Sequence, residues 1–270
     1  MLLLEAALLG VVQGLTEFLP VSSSAHLILA RVFFGWDAEQ FGRPFDVACH
    51  LGTLGAILIY FRQDLAYLVR ALPDLLRRTN RDTRMIVLIV VGTLPLLPIG
   101  MILSDRAEAL RTPWVIVVTL TVVGIAMLIA ERRGRQIREA DEMSWREALL
   151  LGVAQALALI PGVSRSGATI TTGLFLGLER QSAARFSFLL GVPAMLAAAL
   201  HEGKRLVGQP MDALSIQVFV VGILVSGLVG YATVKYFLRF VASRGLDVFA
   251  WYRIVLAIAT VGWLLTRTAH

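Results

Sequence analysis

The sequence is poor in cysteine and poor in charge. Its 270 residues include a single cysteine, Cys49. That excludes a disulfide framework within the chain and a cysteine-built metal centre. Cys49 lies in an apolar stretch and reads as packing. Charged residues make up 16% of the chain and apolar ones 57%, whereas a soluble domain carries about a quarter charged residues. The apolar residues come in blocks, which points away from a soluble globule and toward a chain that crosses a bilayer several times. The N-terminus lacks the basic stretch of a secretory leader, and Glu5 interrupts what would be its apolar core, so an uncleaved start is expected. The charge that is present leans positive, with 25 Lys and Arg against 19 Asp and Glu. Most of these basic residues fall in gaps between apolar blocks, the pattern of cytoplasmic loops, and no nucleic-acid partner is expected.

Six blocks read as spanning segments, near 46–62, 85–103, 114–130, 186–201, 214–233 and 249–266. Residues 3–34 and 147–180 are also apolar, but Pro, Ser and charge interrupt each midway. Non-helical backbone at membrane depth survives only inside protein or against a wet cavity, so each reads as a re-entrant pair of short helices. The expected fold is an all-α polytopic membrane protein: six transmembrane helices plus two re-entrant pairs. The loops at 63–84, which includes Arg77 and Arg78, at 131–146 and at 234–248 carry most of the basic residues and are expected in the cytoplasm. Both termini then lie outside, in a bacterial plasma membrane. Trp36, Trp114 and Trp251 suit aromatic belts. Arg43, Asp46 and His50 fall near a predicted membrane end and read as interfacial, and His201 and His270 show no constellation.

The chain repeats itself. At an offset of 142, residues 5–24 and 147–166 share 11 of 20 identities, among them the polar matches Glu5/Glu147, Gln13/Gln155, Ser22/Ser164 and Ser24/Ser166. A single membrane domain of two halves, 1–140 and 141–270, in inverted topology accounts for this. The copies differ where chemistry is concentrated. Glu17 faces Leu159 in the alignment, Ser23 faces Arg165, and His26 faces Ala168. If the turns meet, one composite site gains a carboxylate, an imidazole and a guanidinium.

An acid within an apolar segment reads as functional by default, which singles out Glu17. Gln13, one helical turn earlier, shares its face. The pair suits a water, a substrate hydroxyl or a hydrated cation, and Mg²⁺ and Ca²⁺ favour such oxygen ligands. Pro20 and Ser22–Ser24 carry helix-start chemistry, and a helix N-terminus is a phosphate cradle. Ser22 and Ser23 stand four and three residues before His26, within reach of an imidazole that serves as base or nucleophile. Capping is the competing role for each serine. In the second turn Gly162 permits tight geometry. Arg165 offers a planar fork to a phosphate, or pairs with Glu17. Ser164, Ser166 and Thr169 complete the expected phosphate-binding set with Ser22 and Ser24.

The strings Gln-Gly-Leu-Thr-Glu-Phe-Leu-Pro-Val-Ser-Ser-Ser-Ala-His (13–26) and Pro-Gly-Val-Ser-Arg-Ser-Gly-Ala-Thr (161–169) resemble the two signatures of bacterial undecaprenyl-diphosphatases, the bacitracin-resistance family. The resemblance covers essentially the whole chain. It implies hydrolysis of a polyprenyl diphosphate lipid to the monophosphate and inorganic phosphate, a divalent cation (Mg²⁺ or Ca²⁺), and a site open to the outer face. It implies catalytic roles for Glu17, Ser23, His26 and Arg165, with Glu17 also toward the metal. Many members carry Glu where this chain has Gln13, and Thr-Gly where it has Ser24-Ala25. Gln13 cannot be a base and is left a positioning role. The expected mechanism has Ser23 as nucleophile and His26 as its base, with attack by His26 or by water left open. Membrane lipids are the expected surroundings, and a homodimer is left open. The rival is a lipid transporter or flippase built on the same inverted repeat.

Overall fold

The structure is a computed structural model and describes residues 1–36, 41–75, 80–107, 109–206 and 212–268. Arg77, Arg78 and His270, which enter the sequence reading, lie outside the described residues, as does the side chain of Arg43. Among the described residues the structure is helical. The elements are α1 (Leu2–Thr16), α2 (Ser23–Phe34), α3 (Arg43–Tyr60), α4 (Arg62–Ala71), α5 (Arg81–Thr93), α6 (Leu96–Ala107), α7 (Pro113–Arg133), α8 (Trp145–Leu157), α9 (Arg165–Phe175), α10 (Arg180–Leu206), α11 (Ala213–Val241) and α12 (Asp247–Thr268).

Five stretches are long and apolar enough to cross a membrane: Arg81–Leu103, Pro113–Arg133, Arg180–His201, Ala213–Val241 and Asp247–Thr266. The expected sixth, 46–62, differs from a straight span. It is α3, whose axis turns by 73° at Phe61 into α4. The cause is composition. Arg62, Gln63, Asp64 and Arg70 make α4 polar on one face, and such a helix lies along an apolar surface instead of passing through it. The 85–103 block is one span with a local interruption of its helical bonding. Pro95 has no N–H to give, so α5 stops at Thr93 and α6 restarts at Leu96. The stretches 3–34 and 147–180 are each two short helices joined by a turn: α1 with α2, and α8 with α9.

The outward surfaces of the long helices are apolar. Only 22% of the Ala213–Val241 window and 22% of the Asp247–Thr266 window is buried, against 56% for α10, which is therefore the central helix. Phe188 of α10 meets Phe18, just past α1, edge-on at 5.5 Å and Phe237 of α11 at 5.9 Å. Glycine sets the closest approaches. A Cβ on Gly52 of α3 would overlap Ile223 O and Ser226 Oγ of α11, and the Ser226 hydroxyl donates to Cys49 O at 2.9 Å. Backbones that close pack tightly without a hydrophobic drive between helices. Cys49 is fully buried, as expected of a packing residue. Trp114 and Trp251 are exposed.

The two broken pairs are built alike. Ser22 and Ser164, 142 residues apart, both have positive φ (76° and 72°). Each caps the helix it precedes: Ala25 N–H donates to Ser22 Oγ at 3.4 Å and Gly167 N–H to Ser164 Oγ at 3.1 Å. A non-glycine residue in this region costs about 1–3 kcal/mol and persists where its surroundings over-determine it.

Candidate active site

The turn after α1 and the turn before α9 come together, so residues 148 positions apart touch. Glu17 is the centre. It continues α1 with helical backbone and is 8% exposed. Gln13, one turn earlier, donates its amide N–H to Glu17 Oε2 at 3.1 Å. The Ser23 hydroxyl donates to the same oxygen at 2.7 Å. Arg165 donates from Nη2 to Glu17 Oε1 at 3.1 Å. His50 on α3 brings Nε2 to 3.4 Å from Oε2, while its Nδ1 bonds the Asp46 carbonyl. A buried carboxylate survives only with such compensation.

Arg165 does more than pair with Glu17. Its guanidinium lies along α10, where a Cβ on Gly191 would overlap Nη1, and Met195 Sδ stands 3.3 Å from Nη2. Gly191 and Met195 are one turn apart, so the groove follows one face of α10. Nη1 is buried without a hydrogen-bond partner among the described residues. Leaving a buried charged donor unsatisfied is costly, and a planar fork with one free arm suits a phosphate oxygen.

His26 is brought to the same turn, but the structure does not join it to Ser23. Its Nδ1 lies 2.7 Å from Ser22 O and its Nε2 lies 2.7 Å from the Tyr252 hydroxyl. The expected Ser23–His26 pairing is thus corrected: Ser23 turns to Glu17 instead. The reason is rotamer direction. Sequence spacing puts the two residues on one helical face, but the imidazole folds back onto the carbonyl four residues before it.

Ser22, Ser164, Ser166 and Thr169, expected to bind phosphate, form hydrogen bonds within the protein. Ser22 and Ser164 are the two helix caps. Ser166 donates to Leu19 O at 3.1 Å, tying the second turn to the first. Thr169 donates to Arg165 O and meets the Ser187 hydroxyl. All four are buried. Ser24 is half-buried, accepts from Gly162 N–H at 3.4 Å and joins the turns a second time.

Asp46, His50 and Arg253 stand outside the expected site set. Asp46 is buried, paired with Arg31 and, at 3.0 Å, with Arg111, and His50 faces Glu17. Arg253 of α12 is fully buried. It donates to Pro20 O at 3.1 Å in the first turn, to Gly162 O at 2.7 Å and Val163 O at 3.2 Å in the second, and to Thr119 O and Leu120 O of α7. The signal for both His50 and Arg253 was present: each is an ionisable residue inside an apolar block.

The copies remain unequal. Among the described residues Gln155, the counterpart of Gln13, is buried with neither its amide nitrogen nor its oxygen partnered, and Leu159 stands where a carboxylate would accept from the nitrogen. Among the described residues these groups are assembled at one place.

The sequence model of the family described as bacitracin resistance protein BacA matches residues 6–259. The chain is 47% identical to an undecaprenyl-diphosphatase of Rubrobacter xylanophilus, over 97% of this chain and 98% of that one. It is 42% identical to those of Moorella thermoacetica (98% and 99% covered) and Mycobacterium ulcerans (96% and 96%). With both turns, the segments between them and nearly the full length in common, the chain belongs to the BacA bacitracin-resistance family.

Proposed function

We propose that this chain is a membrane phosphatase that hydrolyses undecaprenyl diphosphate to undecaprenyl phosphate and inorganic phosphate. One observation carries the reading: a carboxylate, a hydroxyl bonded to it and a half-free guanidinium converge at the N-termini of two helices. Each part suits a phosphoryl transfer. The backbone N–H groups that open α2 and α9 and the free Nη1 of Arg165 receive the terminal phosphate, and the same donors stabilise charge that grows in the transition state. Ser23 Oγ attacks that phosphorus. Its proton passes to Glu17 Oε2, which already accepts it in a hydrogen bond, and prenyl phosphate leaves. Water then opens the phosphoserine, with His26 drawing the proton from that water and Ser23 recovering its own. His50 borders Glu17 and is part of this site.

A divalent cation fits here only in company with the substrate. No group of three or more His, Cys, Asp or Glu is placed to hold a metal among the described residues. The oxygen donors that would hold Mg²⁺ or Ca²⁺ are Glu17 and the Gln13 amide oxygen, which has no partner among the described residues. Bound there, the ion would offset phosphate charge.

The architecture that suits this chemistry is a pair of inverted halves, 1–140 and 141–270. In it α1–α2 and α8–α9 are re-entrant, the bent α3–α4 pair counts as a sixth crossing, and the site opens to the outer face. The matched caps at Ser22 and Ser164 support it.

Phosphate release from undecaprenyl diphosphate by the detergent-purified protein tests the reading. Ser23→Ala and Glu17→Gln should each lower kcat by about 10²-fold or more, the scale of losing one reacting or stabilising group. A purified protein that releases no phosphate overturns the activity, and wild-type turnover by Ser23→Ala overturns the nucleophile.

A further inference from the structure

The C-terminal helix places two adjacent side chains at the site. Arg253 bonds both turns and α7 at once. Its neighbour Tyr252 sets its hydroxyl 2.7 Å from His26 Nε2, with the two rings nearly parallel at 6° and their centroids 5.6 Å apart. Proton bookkeeping gives this contact a direction. Ser22 O is a carbonyl and only accepts, so the His26 Nδ1 at 2.7 Å carries a hydrogen. In the neutral ring Nε2 then holds the lone pair, and the Tyr252 hydroxyl donates to it. Nothing on α2 itself fixes that nitrogen. The residue that does so is 226 positions away, and its placement depends on Arg253 holding α12 against the turns.

We propose that Tyr252 is a proton-relay residue for the reaction: its hydroxyl passes its own proton to His26 Nε2 as it takes one from the attacking water, and the Arg253 bonds to both turns keep that contact in register. The proposal rests on the role given to His26 above. Both ring nitrogens of His26 are engaged, Nδ1 on Ser22 O and Nε2 on the Tyr252 O–H, so a proton reaches the ring through that hydroxyl, and its loss is felt in the chemical step more than in substrate binding. Arg253 acts through the turns and touches no reacting atom.

The test uses the full-length protein in detergent. Tyr252→Phe keeps the ring and removes only the hydroxyl. It should lower kcat by about tenfold, the scale of one hydrogen bond, with KM changed less than about twofold. Unchanged kcat, or a loss carried in KM, overturns the proposal. His26→Ala separates the two claims. If His26→Ala turns over at the wild-type rate, the role of His26 itself fails. If His26→Ala is inactive while Tyr252→Phe is normal, the Tyr252 role alone fails. Histidine ¹⁵N NMR on the wild-type protein adds a readout that needs no variant to fold, since the chain has 4 histidines to assign. His26 should show a protonated Nδ1 and a hydrogen-bonded, unprotonated Nε2. A proton on Nε2 and none on Nδ1 overturns the proposal.

Discussion

At the residue scale the site depends on what each side chain has left over after it has served the fold. Arg165 divides its fork: Nη2 on Glu17 and Nη1 free beside Gly191. A lysine has one point charge and cannot do both. Arg165→Lys should therefore lower kcat/KM by about 10²-fold, read as phosphate release, while the melting temperature changes little. Turnover at the wild-type rate would remove Arg165 from the phosphate. Gly162 is held for a different reason. It sits at φ 90°, and a Cβ there would overlap Thr119 Oγ1, which donates to Pro161 O at 2.8 Å. Gly162→Ala should cost about 1–3 kcal/mol of stability, measured as a lower melting temperature in detergent. Glu17, Ser23 and Arg165 were legible in the sequence because charge and clustered hydroxyls are rare in apolar segments. Ser22, Ser164, Ser166 and Thr169 looked the same on paper. Only the structure shows that these four hydroxyls bond within the protein.

At the element scale the contacts are made by small residues and by loop clamps. Gly52 and Gly55 lie one turn apart on α3, yet only Gly52 faces α11. A Cβ on Gly52 would overlap Ile223 O, whereas one on Gly55 meets nothing within 4 Å. Gly52→Ala should lower the melting temperature clearly. Gly55→Ala should hold or raise it, by about 1 kcal/mol at most through helix propensity. Equal effects would mean that the α3–α11 contact is loose. The loop before α8 is held by Arg138, which bonds Glu147 at 2.8 Å as well as the carbonyls of Leu176 and Glu142. Glu147 stands at the loop end of α8, outside the long apolar helices. The Arg138 hydrogen bond holds its carboxyl at about 2, below its ordinary 4.5. A depressed carboxyl contributes stability that is full above about pH 4.5 and is lost as pH falls toward about 2. Melting curves of Glu147→Gln and the wild type should differ at neutral pH and converge in acid. A gap of constant size would deny the ion pair this role.

At the scale of the whole molecule the protein is a thin-walled bundle around one central helix, with its apolar surfaces turned outward and its polar atoms gathered where the broken pairs meet. Cys49 is fully buried, so an introduced cysteine reports alone to a membrane-impermeant maleimide. Ile137→Cys, at an exposed position between α7 and α8, should label only from the cytoplasmic side. Asp212→Cys, before α11, should label only from outside. The reverse pattern would invert the orientation inferred from loop charge.

The sequence by itself determined the family, the helical membrane class and the place of the two turns. Hydropathy is summed locally and a turn motif is contiguous, so neither needs a partner from afar. The tertiary structure alone decided who meets whom. It turned Ser23 to Glu17 instead of His26, brought His50 of α3 to the carboxylate, and gave His26 and both turns to Tyr252 and Arg253 of α12. Helical periodicity says which residues share a face of one helix. It does not say how that helix is rotated against its neighbours, because rotation is set by glycine contacts, buried rings and rotamers contributed from the other end of the chain.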